Sequence, residues 1–121
     1  MERMSRTEQG RQAEDHALSL LLKAGLKLVD RNYRSRFGEI DLIMEEGTTV
    51  VFVEVRYRTS NRFGSAQESV NRQKQHRLIL TASDYIKDKR LRRPTRFDVA
   101  AITPGPSGFS MNWIKGAFEA E

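Results

Sequence analysis

Carboxylates alternate with apolar residues along two neighbouring stretches of the chain. The first reads Glu39-Ile40-Asp41-Leu42-Ile43 and the second Val50-Val51-Phe52-Val53-Glu54-Val55-Arg56. Successive side chains of a strand point to opposite faces, so alternate residues share a face. With Glu46-Gly47 as the turn, Asp41 is expected opposite Phe52 and Glu39 opposite Glu54. Asp41, Glu54 and Arg56 then point the same way, beside Ile43, Val50 and Phe52. Diagonal neighbours roughly 7–8 Å apart are within side-chain reach of one shared ion. Two carboxylates close together on a half-apolar face repel, and a divalent cation that prefers hard oxygen donors, Mg²⁺ or Mn²⁺, relieves that repulsion. A solvated hairpin face is the other reading. Leu42, Val51, Val53 and Val55 fill the opposite face, so both faces are expected to be partly buried, which weighs against it.

The elements that must position these groups are legible in outline. Apolar residues at Ala13, Ala17, Leu18, Leu20, Leu21, Leu22 and Ala24, close to a 3.6-residue period, predict a helix from about Ser5 or Thr7 to Ala24, ending at Gly25. Glu14 shares the helix face of Ala17, Leu18 and Leu21, turned toward the sheet, where a carboxylate needs a partner. It either reaches the strand carboxylates or sits half-exposed beside an arginine. A strand follows from Leu26 to Arg34, then a loop at Ser35–Gly38, then the hairpin. Ser65-Ala66-Gln67-Glu68 reads as a capping box that opens a second helix reaching about Lys89. Lys74 on that helix reads as solvent-facing, with an amine to offer if the helix faces the site. Arg96–Ile102 and Phe109–Ile114 read as two further strands, with a turn at Thr103–Gly108. The expected fold is α/β, a mixed central β-sheet flanked by helices.

Length and charge bound the function. The 121 residues predict one domain, spanning 1–121, and the absence of cysteine excludes thiol catalysis and Cys-rich metal sites. No apolar run reaches the roughly 18 residues of a membrane span, and the N-terminus reads as no secretory signal, so a cytoplasmic protein with no membrane partner is expected. The net charge is +5, from 21 Lys and Arg against 16 Asp and Glu. Arg31–Arg96 holds 15 basic and 8 acidic residues, and arginine exceeds lysine 15 to 6 over the chain. Arginine's planar fork suits phosphate oxygens, so the pattern points to nucleic acid as partner, DNA first. His16 and His76 lack metal-pair spacing, and Trp113 and Phe109 read as core rather than as platforms for bases.

The run Gly38-Glu39-Ile40-Asp41-Leu42-Ile43, followed by Val53-Glu54-Val55-Arg56, resembles the YraN-like family of small bacterial proteins. The resemblance extends through Gly10, Ala13-Glu14, Gly25, Arg31-Asn32-Tyr33-Arg34, Ser69-Val70, Lys74 and Arg96-Phe97-Asp98-Val99. That family is considered similar to restriction-endonuclease-like nucleases and, among them, to archaeal Holliday-junction resolvases. The resemblance implies a restriction-endonuclease-like core. It implies that Glu14, Asp41 and Glu54 are metal ligands for Mg²⁺ or Mn²⁺, and that Arg56 stands where the superfamily signature has lysine. Ile40 likewise stands where the signature has proline. Together with Arg56 as a phosphate clamp, these residues imply metal-dependent hydrolysis of DNA phosphodiester bonds, on branched or repair intermediates.

Arg34, Arg36, Arg58, Arg62, Arg72 and Arg77, with Lys74 beside them, are the candidates for tracking a nucleic-acid backbone. Arginine cannot give up a proton as lysine can, so Arg56 favours a binding module without efficient chemistry, whereas the carboxylate set favours a nuclease. A basic subunit that docks on an acidic protein is the third class. The expected partner is therefore nucleic acid, and a homodimer stands beside it as an option that no residue pattern argues for.

Overall fold

The computed structural model describes residues 6–58, 70–106 and 108–120. In chain order the elements are α1 (Arg6–Lys23), β1 (Lys27–Ser35), β2 (Gly38–Glu46), β3 (Thr49–Tyr57), α2 (Arg72–Lys89), β4 (Thr95–Gly105) and β5 (Gly108–Phe118). The five strands form one sheet in sequence order. β3 and β4 are parallel and every other pair is antiparallel, so the sheet is mixed and the fold is α/β, as the sequence predicts. A parallel pair needs a long crossover, and α2 supplies it. Among the described residues, no helix is long and apolar enough to cross a membrane.

Each helix covers one face of the sheet. Ala13, Ala17 and Leu21 of α1 pack with Leu42, Met44, Val51, Val53, Ala100 and Ile102. Leu78, Ala82 and Tyr85 of α2 pack with Ile43, Val50, Phe52, Phe97 and Val99 on the other side. The central strands therefore bury both their faces, which explains their near-continuous apolar runs. α1 ends where expected. Gly25 takes φ +101°, its N–H donates to Leu22 O, and the Leu26 N–H reaches back to Leu21 O, with Leu26 buried against the same cluster.

Two expectations are corrected. The β2–β3 ladder pairs Glu46 with Thr49 and Leu42 with Val53, so the turn is Gly47-Thr48. The pairing slips by two residues from the predicted one, and continuing it sets Asp41 opposite Glu54 rather than Phe52. A slip of two preserves which face each side chain takes. Gly47 at φ +60° explains the choice, because the turn needs a left-handed residue that glycine accepts without a steric cost. The second correction concerns α2. It begins at Arg72, and Asn71 is its N-cap, the side chain accepting the Lys74 N–H at 2.9 Å. The Ser65–Glu68 capping box lies outside the described residues. At the C-terminal end, Ala117 and Phe118 belong to β5, and Thr103–Gly105 continue β4, the Gly105–Gly108 pair closing the last hairpin.

Candidate metal and nucleic-acid site

The site forms where β2 and β3 leave their ladder. Beyond the Leu42–Val53 pair the Val55 N–H donates to Asp41 Oδ2 at 2.8 Å. Ile40 and Ile43 both join the α2-side core, so strict alternation breaks between them, around Asp41. Side chains from both layers can therefore approach Asp41. Glu14 comes from α1, Glu39 from β2 itself, and Glu54 from β3.

Carboxylate oxygens of Glu14, Glu39 and Asp41 all lie within 4.8 Å of one another. Asn32 ties two of them together, its side-chain amide donating to Glu14 Oε1 at 3.0 Å and to Glu39 Oε1 at 3.3 Å. Asn32 itself has φ +53°, a left-handed conformation that asparagine tolerates better than most residues. Glu54 is 5% exposed and lies on the α2 side of Asp41. Burial, and then the negative charge of Glu54, push the Asp41 carboxyl up to about 9. Glu14 adds to the rise and the Val55 N–H opposes it.

Lys74 is where the sequence reading is overturned. Its ammonium is not turned to solvent but lies 2.7 Å from Glu54 Oε2, and its side chain is 33% exposed. The Asn71 cap fixes the start of α2 and so places Lys74 in the first turn, aimed at the sheet. Arg56, which the resemblance put in the place of lysine, is farther off, with Nη1 3.9 Å from Glu54 Oε2. Its Nε is buried and has no hydrogen-bond partner.

Two clefts open on this seam. The α2-side cleft encloses about 340 Å³ and is lined by Asp41, Glu54, Arg56, Lys74, Arg77 and Phe37, among others. The α1-side cleft, about 580 Å³, is lined by Arg11, Glu14, Asp15, Arg31, Asn32 and Arg34. Glu39 borders both. Arg34 Nε donates to Glu39 Oε2 at 2.6 Å, and Arg31 Nη2 lies 2.8 Å from Asp15 and 3.5 Å from Glu14.

Of the arginines proposed to track a backbone, Arg77 and Arg34 thus line the clefts. Arg36 and Arg72 are exposed and line neither. Arg58 also lines neither; its N–H extends β3 by donating to Ile102 O. Arg62 lies outside the described residues. Sequence reasoning missed Arg11, Arg31 and the part played by Glu39. The signal for Glu39 was present, because alternation puts it on Asp41's face two residues away. Arg11 had a signal too, three residues before Glu14 on the helix. His16 is half-buried with its ring 5.5 Å from Phe109, His76 is exposed, and Phe109 and Trp113 pack on the α1-side core as expected.

Comparison with known proteins places these residues in a family. Residues 13–102, from α1 through β4, match the model of "Uncharacterised protein family UPF0102". A UPF0102 protein of Methylococcus capsulatus is 49% identical over 112 residues, covering 93% of this chain and 91% of that one. A UPF0102 protein of Pseudomonas syringae is 43% identical over 123 residues, covering 99% of this chain and all of its own length. One from Shewanella loihica is 48% identical over 109 residues. With most of its length inside the family model and relatives this similar from end to end, the chain belongs to the UPF0102 family, the YraN-like family that its motifs resemble.

Proposed function

We propose that this protein binds nucleic acid and hydrolyses its phosphodiester bonds with Mg²⁺ or Mn²⁺, DNA being the expected substrate. One arrangement supports the reading above all. Asp41 is a half-buried carboxyl crowded by Glu14, Glu39 and Glu54; it accepts a hydrogen bond from the Val55 N–H and lies in a cleft walled by Lys74, Arg56 and Arg77. The donors are hard carboxylate oxygens set close enough to share one ion, so the residues fit a small divalent cation. Asp41, Glu14 and Glu39 would hold it, with Glu54 adjoining.

When bound, the cation supplies a lowered water pKa and positive charge against the phosphate. The chain's own residues do the rest. Lys74 pairs with Glu54, Nζ lying 2.7 Å from Oε2, and so holds a second carboxylate beside Asp41. Lys74 is also an amine that can give up a proton, which a guanidinium does not, so Arg56 in the lysine position is no bar to chemistry. Arg56 and Arg77 flank the cleft where a phosphate oxygen would lie, and their forks suit it. Arg11, Arg31 and Arg34 continue the basic lining past Glu39 into the α1-side cleft.

The test joins binding to cleavage. Calorimetry with Mn²⁺ is expected to show a site that Asp41→Asn and Glu14→Gln each weaken at least tenfold. Labelled DNA is expected to bind with an affinity that falls steeply with salt. Linear, flapped and four-way DNA in Mg²⁺ or Mn²⁺ then reports cleavage, with Asp41→Asn as the control for contaminating nuclease. Binding without cutting in any of these substrates reduces the reading to a non-catalytic module. No DNA binding at low salt leaves a basic protein-docking subunit.

A further inference from the structure

We infer that Phe37, at the tip of the β1–β2 hairpin, is a stacking platform for one unpaired base next to the phosphate that the cleft takes. This rests on the nucleic-acid reading above and adds to it a substrate class: single-stranded nucleic acid, or a strand with an unpaired nucleotide.

Phe37 alone among the described aromatic residues belongs to neither hydrophobic cluster. Tyr33, Phe52, Tyr85, Phe97 and Phe118 pack into or against the α2-side core, and Tyr57, Phe109 and Trp113 against the α1-side core. Phe37 is instead half-buried in the wall of the cleft that holds Asp41, Glu54 and Lys74. An apolar ring that the fold does not use is placed among charged groups, where its hydrophobic surface gains nothing from the core.

The ring is also held. The Phe37 N–H donates to Ser35 Oγ at 3.1 Å, which fixes the turn. Gly38 follows with φ +155°, and a Cβ there would meet Thr81 Oγ1 at 3.5 Å, so the hairpin tip lies close against α2. The Arg36 guanidinium sits 4.8 Å from the ring centroid, and Arg36 does not line the cleft. Arginine therefore lies over one face of a ring that itself lines the cleft. A cation beside an aromatic ring near carboxylates is the combination that takes an unpaired base by its π-face with its phosphate nearby. Bases inside a duplex are stacked on their neighbours and cannot offer that face.

The experiment measures binding of the full-length protein in Ca²⁺ at low salt, by fluorescence anisotropy. The probes are a thymidine oligonucleotide, the same strand with one abasic position in each register, and a duplex of equal length. Phe37→Ala is expected to weaken the thymidine strand by about five- to a hundredfold, while duplex affinity stays within twofold. Wild type on the abasic strands is expected to show a loss of the same direction in one register, with no change in protein fold. Phe37→Trp is expected to keep the affinity and to have its added indole fluorescence quenched by the thymidine strand. Equal losses on single strand and duplex, or wild type that binds abasic and intact strands alike, would overturn the stacking role. In that case salt-dependent duplex binding still upholds the nucleic-acid reading. Absence of binding to every probe overturns both.

Discussion

Asp41 on β2 is half-buried and Asp98 on β4 is fully buried, and the surroundings of these two sheet carboxyls are opposite. Asp98 is 0% exposed and receives Arg96 Nε at 2.9 Å, Arg96 Nη2 at 3.1 Å, Trp113 Nε1 at 3.0 Å and the Gly116 N–H at 3.0 Å. Arg96 in turn donates to Glu46, which Lys115 also reaches. Positive charge and donors surround that carboxylate and satisfy its oxygens. Asp41 receives a backbone N–H and faces other carboxylates. The first is a strut that joins β4 to β5. The second is a carboxyl that folding sets among like charges, so that it keeps its proton up to about pH 9, which is the mark of a binding group rather than of a structural one.

Removing each carboxylate is the sharpest way to break the comparison, and the largest effect falls at the strut. Asp98→Ala strips a partner from a half-buried guanidinium, which keeps Glu46, and from an indole N–H and a backbone N–H at once, so a loss of about 3–5 kcal/mol is expected. Urea unfolding checks it. A variant within about 1 kcal/mol of wild type would show that Asp98 is not a strut.

Asp41→Asn is expected to act in the opposite direction. A carboxyl whose folded pKa is raised to about 9 takes up a proton on folding between its unfolded pKa and 9. Stability from that proton is present below about pH 4 and is lost as the pH rises toward 9. Asparagine keeps an oxygen for the Val55 N–H and removes the charge. In a chelator, thermal melts across pH 4 to 9 are expected to show wild type losing stability with pH and Asp41→Asn losing less. The variant is expected to lead by about 1–3 kcal/mol at pH 8. A parallel pH slope in both proteins would refute the crowding of Asp41. Mn²⁺ is expected to raise the melting temperature of wild type and not of the variant.

How far the sequence revealed this contrast depends on the length of the interaction. Alternation put Asp41 and Glu54 on one face; the two-residue slip in register leaves that parity intact as far as Ile43 and Phe52, and the break in alternation around Asp41, which no sequence period reports, still leaves it in the cleft with Glu54. Helix periodicity likewise turned Glu14 toward the sheet. Lys74 escaped because its direction depends on where α2 begins. Asn71 sets that start, whereas the Ser65–Glu68 pattern suggested an earlier one. Asp98 escaped for a different reason. Its partners Trp113 and Gly116 lie on β5, and a short-range pattern contains nothing about which strand comes alongside. Arg31 pairs with Asp15 across 16 residues, which no helix or strand period reports.

Lys74→Met sharpens the comparison from the side of the cation. It leaves Glu54 buried at 5% exposure beside Asp41, with Arg56 Nη1 still 3.9 Å away. A loss of about 1–2 kcal/mol is expected in the metal-free protein at neutral pH. The double variant Lys74→Met with Asp41→Asn is expected to recover part of it, since the two changes act on one charge cluster. Strict additivity of the two in denaturant titrations would separate Lys74 from the Asp41 site.

The smallest stability effect is expected at the rim, where the contrast between structure and binding is widest. Arg34 is 79% exposed although its Nε lies 2.6 Å from Glu39. Solvent screens such a pair, and exposed ion pairs are worth about 0–1 kcal/mol, so Arg34→Ala is expected to shift stability by less than about 0.5 kcal/mol. Its effect on DNA is expected to be larger. If Arg34 contacts a phosphate, the variant lowers affinity at low salt and reduces the slope of log affinity against log salt by about 1, equally for unrelated sequences. Arg34 also balances Glu39, one of the three carboxylates gathered near Asp41. Its loss is therefore expected to strengthen Mn²⁺ binding even as DNA binding weakens. Calorimetry with Mn²⁺ beside a salt titration of DNA binding separates the two effects. Both affinities falling together would mean that Arg34 holds the fold of the cleft rather than competing for its charge.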